Sequence, residues 1–182
     1  MRIITGSAKG KKLIAPAGLD TRPTTDRVKE GLFSAIHFYL EGANVLDLFA
    51  GSGQLGLEAL SRGAKKCTFV DNDARAIKAV KTNIANCGFE DASRVVNISA
   101  LAFLESANEK FDIIFLDPPY ESFSQMNILE LAGKVLSEDG TVVCENNDQT
   151  RLPDCTDEFK YCKKYRYGKI YTAVYKRKDD RD

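Results

Sequence analysis

The stretch Asn44-Val45-Leu46-Asp47-Leu48-Phe49-Ala50-Gly51-Ser52-Gly53 decides the fold, because an apolar strand runs directly into a glycine-rich turn. The helical pattern of residues 55–60 follows at once. Further along the chain, apolar strands alternate with helical patterns; these strands are predicted at residues 67–70, 94–98, 113–116 and 141–144. This alternation predicts a doubly wound, mostly parallel α/β sheet. Two more strands, joined near Gly168, predict a C-terminal antiparallel hairpin.

Helices are predicted before and between these strands. Thr24-Thr25-Asp26 offers N-cap chemistry to an amphipathic run whose apolar face carries Val28, Leu32, Ile36 and Tyr39. Residues 128–136 have a helical pattern that Gly140 is predicted to end.

The charge of the chain is segregated along its length. Its 182 residues carry 26 Lys and Arg against 26 Asp and Glu, and 43% of them are hydrophobic, as expected of one globular domain. Residues 1–30 hold seven basic and three acidic residues, and residues 160–178 hold eight basic residues and no acid. The intervening residues 31–159 hold ten basic and twenty acidic residues. Such basic ends suit a polyanionic partner, although two ordinary solvated edges explain them equally well.

Cysteine usage and hydropathy indicate a cytoplasmic protein. The five cysteines form no C-x-x-C pair, so neither a disulfide framework nor a metal site is predicted. The chain shows neither the apolar core of a signal peptide nor an apolar run long enough for a membrane helix.

The glycine-rich turn indicates a nucleoside cofactor. Residues 51–56 match G-x-G-x-x-G, and Asp71, at the end of the next strand, can accept hydrogen bonds from a ribose diol. These features leave both NAD and S-adenosylmethionine open. Asp47 favours S-adenosylmethionine, since a carboxylate attracts its cationic groups and would repel a pyrophosphate. Alternatively, Asp47 orients amides of the loop.

Asp117-Pro118-Pro119-Tyr120 ends the fourth predicted strand. The prolines fix the backbone and leave carbonyls free, Asp117 can accept the hydrogens of an exocyclic amine, and Tyr120 can stack on a planar base. This chemistry fits methylation of an amine, and a plain strand-ending turn is the alternative.

Together these motifs resemble a class I methyltransferase that acts on an exocyclic or amide nitrogen. Three N-terminal segments narrow the resemblance: Arg2-Ile3-Ile4-Thr5-Gly6, Lys9-Gly10-Lys11-Lys12-Leu13 and Arg22-Pro23-Thr24-Thr25-Asp26-Arg27-Val28-Lys29-Glu30. Over about residues 2–176 the chain is similar to the RsmD family of bacterial 16S rRNA guanine-N2 methyltransferases. The resemblance implies the seven-stranded, Rossmann-like methyltransferase sheet, S-adenosylmethionine as cofactor with S-adenosylhomocysteine as product, and the N2 of a guanine as acceptor.

The resemblance also implies site residues. Asp117, Pro118, Pro119 and Tyr120 would hold the flipped base. The cofactor would be bound by Asp47, Phe49, Ala50, Gly51, Ser52, Gly53, Asp71, Asn72, Ser99 and Ala100. Ser99 is a departure, because many class I enzymes carry at this position an Asp that binds the adenine amine.

A basic extension over residues 1–23 and a methyltransferase domain over residues 24–182 are expected. Phosphates of 16S rRNA, free or in a small-subunit assembly particle, would contact Arg2, Lys9, Lys11, Lys12, Arg22, Arg27, Lys164 and Arg166. A monomer is expected.

Three other functions compete with this interpretation. An enzyme of the same fold could methylate DNA adenine or a protein glutamine, although 182 residues leave little room for a DNA-recognition domain and glutamine enzymes usually begin the motif with Asn. An NAD-dependent oxidoreductase would need a proton donor, and the single histidine, His37, is predicted on a helix surface. A non-enzymatic RNA-binding module would leave Asp117 and the glycine loop unexplained.

Overall fold

One sheet of seven strands forms the centre of the computed structural model, which describes residues 1–18, 25–117, 125–146, 159–168 and 170–177. Its strands are β1 (Asn44–Asp47), β2 (Lys66–Val70), β3 (Ser93–Val96), β4 (Phe111–Leu116), β5 (Leu136–Asn146), β6 (Phe159–Tyr167) and β7 (Ile170–Arg177). The helices are α1 (Asp26–Ala35), α2 (Gln54–Ser61), α3 (Ala74–Cys87), α4 (Ala100–Ser106) and α5 (Gln125–Val135).

The strand order is β3-β2-β1-β4-β5-β7-β6. Strands β1 to β5 pair in parallel, whereas β7 pairs antiparallel with both β5 and β6. The predicted mostly parallel sheet with a C-terminal antiparallel hairpin is therefore confirmed. The order reverses between β1 and β4, and in sheets of this kind ligands bind beyond the carboxyl ends of the strands at that point.

The inner strands carry apolar side chains on both sides, and helices bury them by covering both faces of the sheet. Alternate residues of β1 show this division: Val45 packs in a core cluster with residues of α1, α2 and α3, and Leu46 packs in a second cluster with residues of α4 and α5. We call the first of these the α1–α3 face.

Two helix boundaries differ from the predictions. Helix α1 ends at Ala35, and Tyr39 lies in a short 3-10 turn with 41% of its surface exposed, so the predicted apolar face extends only to the buried Ile36. Gly140 does not end a helix: α5 stops at Val135, and Gly140 lies within β5. A Cβ atom at Gly140 would come within 2.6 Å of the Leu136 side chain, so close packing rather than capping requires the glycine.

A buried carboxylate attaches the N-terminal segment to helices α1 and α2. Glu58 of α2 is fully buried and accepts hydrogen bonds from the backbone amides of Ile4 (2.9 Å) and Thr5 (3.1 Å). It also forms ion pairs with Lys29 (3.4 Å), itself fully buried, and Arg62 (2.9 Å). Burial lowers the pKa of Lys29, and the neighbouring Glu58 opposes that effect. Ile3, Ala8 and Leu13 complete the attachment by packing in the core of the α1–α3 face.

Within the described ranges, no helix has the length and apolar character needed to cross a bilayer. The same residues contain no group of three or more His, Cys, Asp or Glu side chains that could hold a metal ion. Cys67, Cys87 and Cys144 are free thiols.

Candidate active site

Four acids follow or end neighbouring strands along the carboxyl edge of the sheet. Asp71 follows β2, Asp47 ends β1, Asp117 follows β4 and Glu145 lies near the end of β5. Two residues before each acid, a buried apolar side chain packs on the α1–α3 face; these are Phe69, Val45, Phe115 and Val143. Because side chains alternate along a strand, all four acids are placed on that same face.

Asp47, the last residue of β1, is a buried acid that contacts the first turn of α2. Only 3% of its surface is exposed, and its Oδ2 accepts a hydrogen bond from the Gly56 amide at 3.0 Å. Burial raises the pKa of Asp47 to about 7, which the Gly56 hydrogen bond opposes and the charges of Asp117 and Asp71 reinforce. The alternative in which Asp47 orients a nearby amide is therefore present in the structure.

The glycine loop has a backbone that other residues rarely adopt. Gly51 (φ 54°) and Gly53 (φ 76°) are left-handed, and Gly53 caps α2 without a side chain. Gly56 serves packing instead, because a Cβ there would meet the Phe69 ring at 2.4 Å and the Cys67 sulfur at 2.6 Å. The loop therefore turns sharply while its helix lies close against β2, as a cofactor-binding turn requires.

Asp71 and Asn83 hold this loop from two sides. Asp71 accepts from the amides of Gly51 and Asp73, each at 2.9 Å. Asn83 of α3 is fully buried and donates to the backbone carbonyls of Ser52 (2.8 Å) and Ile14 (2.9 Å). The loop is thereby tied both to the end of β2 and to the N-terminal segment.

The remaining cofactor-site candidates lie on the same edge of the sheet. Phe49 is half-buried, Ala50 is buried and Asn72 is exposed beside Asp71. Ser99 is exposed and caps α4 by accepting from the Ala102 amide at 3.2 Å, with Ala100 buried behind it. The roles of these residues in cofactor binding stay predictions.

Asp117 and Glu145 lie side by side at the carboxyl edge; the sequence analysis predicted Asp117 as a site residue and missed Glu145. Leu116 of β4 is in register with Cys144 of β5, so Asp117 and Glu145 are the next residues along two neighbouring strands. Burial, and then the charge of Glu145, raises the pKa of Asp117 well above its usual range. Pro118, Pro119 and Tyr120 lie outside the described residues. The signal for Glu145 was an acid directly after the apolar run 142–144, the same pattern that identified Asp71 and Asp117.

The predicted RNA-binding residues lie in two regions. The first region lies near α1, where Arg2 forms an exposed ion pair with Asp26 (2.9 Å) and Arg27 is exposed. Strand β6 reaches the same region, because Tyr167 packs so closely against α1 that a Cβ atom at Gly31 would strike its hydroxyl. Of the other β6 residues, Lys164 is half-buried, and Arg166 is exposed with its guanidinium 5.5 Å from the Tyr171 ring.

The second region is the turn that carries the exposed Lys9, Lys11 and Lys12. The amides of Ser7 and Ala8 donate to Ser61, the last residue of α2, so this turn lies at the end of α2 remote from the glycine loop. Arg22 lies outside the described residues. Contact of all these residues with RNA stays a prediction.

Solved structures share this architecture over almost its whole length. The structure of yhhF from Escherichia coli, a proposed methyltransferase, is 34% identical and covers 98% of both chains with a TM-score of 0.87. Together with this likeness, the sheet, its switch point and the glycine loop identify an S-adenosylmethionine-dependent methyltransferase of the class I fold, and the predicted fold, enzyme class and cofactor are confirmed.

The chain belongs to the family described as conserved hypothetical protein 95, whose model matches residues 1–176, and the resemblance stated from its motifs is confirmed. YlbH of Bacillus subtilis, a proposed rRNA methyltransferase, is 43% identical over 183 residues, covering 98% of this chain and 100% of that protein. Ribosomal RNA small subunit methyltransferase D of Escherichia coli strain K12 is 35% identical over 180 residues, covering 97% and 90% of the two chains.

Proposed function

We propose that this enzyme transfers a methyl group from S-adenosylmethionine to the exocyclic N2 of one guanine in 16S rRNA. The observation that carries the proposal is the position of Asp117, a half-buried acid at the switch point of a methyltransferase sheet. The relatives named above act, by their names, on ribosomal RNA, in one case that of the small subunit. We further infer a monomer that works in the cytoplasm on 16S rRNA or a small-subunit assembly particle.

The residues of the glycine loop fit this cofactor. A Cβ at Gly51 would have its nearest neighbour at 4.0 Å, so the turn leaves open space above its backbone. Asp47, with a pKa of about 7, is ready to ionise beside a cationic ligand. Asp71 and Asn72 would hold the ribose, and Ser99 and Ala100 would lie against the adenine. The cofactor supplies an electrophilic methyl group on a positively charged sulfur, which leaves as a neutral thioether.

The chain's own contribution at the acceptor is positioning. The amine of a guanine is a poor nucleophile because its lone pair is delocalised into the ring. Asp117, by accepting hydrogens of N2, favours a localised lone pair directed at the methyl carbon. The bound cofactor would supply its methyl carbon to N2 and keep the electron pair of the former C–S bond on its sulfur. The proton then leaves N2 for Asp117 or for water, and the raised pKa of Asp117 makes its ionised form a better acceptor than an ordinary carboxylate.

The reacting base must leave its helix or loop. A paired guanine cannot bring N2 to an acid at the edge of the sheet, so an unpaired or flipped nucleotide is required, at a cost of a few kcal/mol. The basic residues near α1 and on the turn at Lys9 would hold the surrounding phosphates.

Labelled S-adenosylmethionine, offered separately with 16S rRNA, small-subunit particles, DNA and protein, tests the proposal. Label recovered as N2-methylguanosine from the RNA is the expected result, whereas label only in DNA or protein would refute it. Asp117→Ala should abolish transfer and leave cofactor binding within about threefold. The matched control is Asp91→Ala, which replaces an exposed acid at the opposite edge of the sheet.

A further inference from the structure

We propose that Glu145 is a specificity-determining residue: together with Asp117 it presents two adjacent acceptors that select guanine by the two N–H donors on its Watson–Crick edge. This inference rests on the proposed function and adds to it how the acceptor base is recognised.

The register of the sheet places the two acids side by side. They follow the paired residues Leu116 and Cys144 on parallel strands, which lie about 4.8 Å apart. Both side chains alternate onto the α1–α3 face, and only 6% of the surface of Glu145 is exposed. A flat ligand that reaches Asp117 from the carboxyl edge therefore meets Glu145 in the neighbouring row.

The chemistry of the bases explains why two acids are useful. Guanine carries the N1 hydrogen beside the N2 amine, so its edge offers donors at two neighbouring positions. Adenine and cytosine carry an unprotonated ring nitrogen beside their amine, which would face a carboxylate oxygen without a hydrogen between them. A buried acceptor left against another acceptor loses its hydrogen bond and remains desolvated, which disfavours the wrong base strongly.

The charge of Asp117 and Glu145 should differ between the free enzyme and the enzyme with a bound guanine. Two neighbouring buried acids do not both ionise readily, which is why Glu145 raises the pKa of Asp117. Two N–H donors from guanine would stabilise the ionised form of both acids. Binding of the base therefore displaces a proton, and it should tighten as the pH rises. Asp47 and Asp71 lie on the same face, and the charges of Asp117 and Asp71 raise the pKa of Asp47.

The experiment compares guanine with 2-aminopurine, which keeps the amine but has an acceptor at N1. Once the modified position has been mapped by mass spectrometry, either base is placed there in 16S rRNA by ligation of a synthetic segment. Wild-type enzyme should prefer guanine by about 100-fold or more in kcat/KM. Glu145→Gln supplies an N–H donor for N1 of 2-aminopurine, and we expect it to reduce that preference by at least about 10-fold. Any contact to the guanine O6 is lost equally in both enzymes and cancels from this comparison.

Several readouts separate recognition from a structural role. Glu138→Gln, in an exposed residue of the same strand, should leave the preference unchanged. In Glu145→Gln the acidic limb of the kcat/KM profile should move to lower pH, because the charge that raises the pKa of Asp117 is gone. An unchanged base preference in Glu145→Gln, whether activity falls or not, would overturn the role of Glu145.

A measurement on the wild type covers the case in which Glu145→Gln does not fold. RNA with 1-deazaguanine at the target keeps O6 and the amine but lacks the N1 hydrogen. Loss of about 10-fold or more in kcat/KM supports the second acceptor, and a loss smaller than about threefold overturns it. Failure of the wild type to methylate guanine RNA at all would instead refute the proposed function, and the inference with it.

Discussion

Replacement of Asp47 by Asn should make the enzyme more stable at neutral and alkaline pH while weakening its cofactor binding. Asp47 is 3% exposed, and its pKa is raised from 3.8 to about 7, chiefly by burial. At Asp47 the folded chain thus binds more protons than the unfolded chain between about pH 4 and pH 7, so this residue costs the wild type stability as the pH rises through that window. Above it the penalty is constant, at about 4 kcal/mol as an upper limit. The Asn side chain has no charge to desolvate, and its oxygen can still accept from Gly56.

The pH dependence gives the sharper magnitude. Between about pH 5.5 and pH 8 the penalty on Asp47 grows over about 1.5 pKa units, which corresponds to about 2 kcal/mol. The difference in the free energy of unfolding between Asp47→Asn and the wild type should therefore increase by about that amount. Urea denaturation of both proteins at these pH values measures it. Parallel stability curves, with a difference that changes by less than about 0.5 kcal/mol, would refute the argument. Calorimetric titration with S-adenosylmethionine at about pH 8 should show about 10-fold weaker binding to the variant, because an ionised acid no longer faces a cation.

Three further outcomes are expected. Glu58→Gln removes the charge that pairs with Lys29 and Arg62, so it should lower the free energy of unfolding by about 3–5 kcal/mol and expose residues 1–13 to protease. The control Glu90→Gln replaces an exposed acid and should do neither; equal urea curves for Glu58→Gln and the wild type would contradict the prediction. Gly56→Ala places a methyl group against the Phe69 ring and should lower the free energy of unfolding, measured by urea denaturation, by about 1–3 kcal/mol. Lys81→Ala, on the exposed side of α3, is the control, and an unaffected stability of Gly56→Ala would show that the ring can move aside. Replacing Lys9, Lys11 and Lys12 together by Ala should weaken binding to 16S rRNA and reduce the slope of the logarithm of the binding constant against log salt by about 2, as measured by filter binding. Replacement of the exposed pair Lys78 and Lys81 is the control, and an unchanged slope in the triple variant would remove the turn at Lys9 from the RNA-binding surface.

The parts of the fold that the sequence predicted are those encoded locally. Residues 44–53 combine an apolar strand that contains a single acid with glycines that adopt the left-handed turn, so both the strand and the site could be located from a few residues. The N-cap residues Thr25 and Ser99 lie directly at the starts of their helices. Thr25 could be predicted as an N-cap because the signal is local.

The parts that could not be predicted depend on what the chain brings together. Gly140 follows a helical pattern and so resembled a helix end, but its neighbour in space is Leu136. Glu58 gives no sign in the sequence that it binds the amides of Ile4 and Thr5, more than fifty residues away. An acid directly after an apolar run marks Glu145 in the sequence, but only the register that sets β5 beside β4 pairs it with Asp117. In each case a tertiary contact assigns the role, and no local pattern carries that information.

The acids along the carboxyl edge fit the expectation that phosphates are held away from the site. Those of the acids Asp71, Asp47, Asp117 and Glu145 that are ionised repel an approaching phosphate backbone. On the proposed function, a site that accepts the edge of a neutral base and a cationic methyl donor gains from this negative charge, because the charge attracts the methyl donor and keeps phosphates out of the reacting position. On the proposed function the phosphates are held elsewhere, and we expect the basic residues near α1 and the turn at Lys9 to hold them; that turn lies at the far end of α2. Added salt should therefore weaken RNA binding strongly while changing the rate of methyl transfer within the bound complex by less than about threefold, since the buried acids are poorly screened.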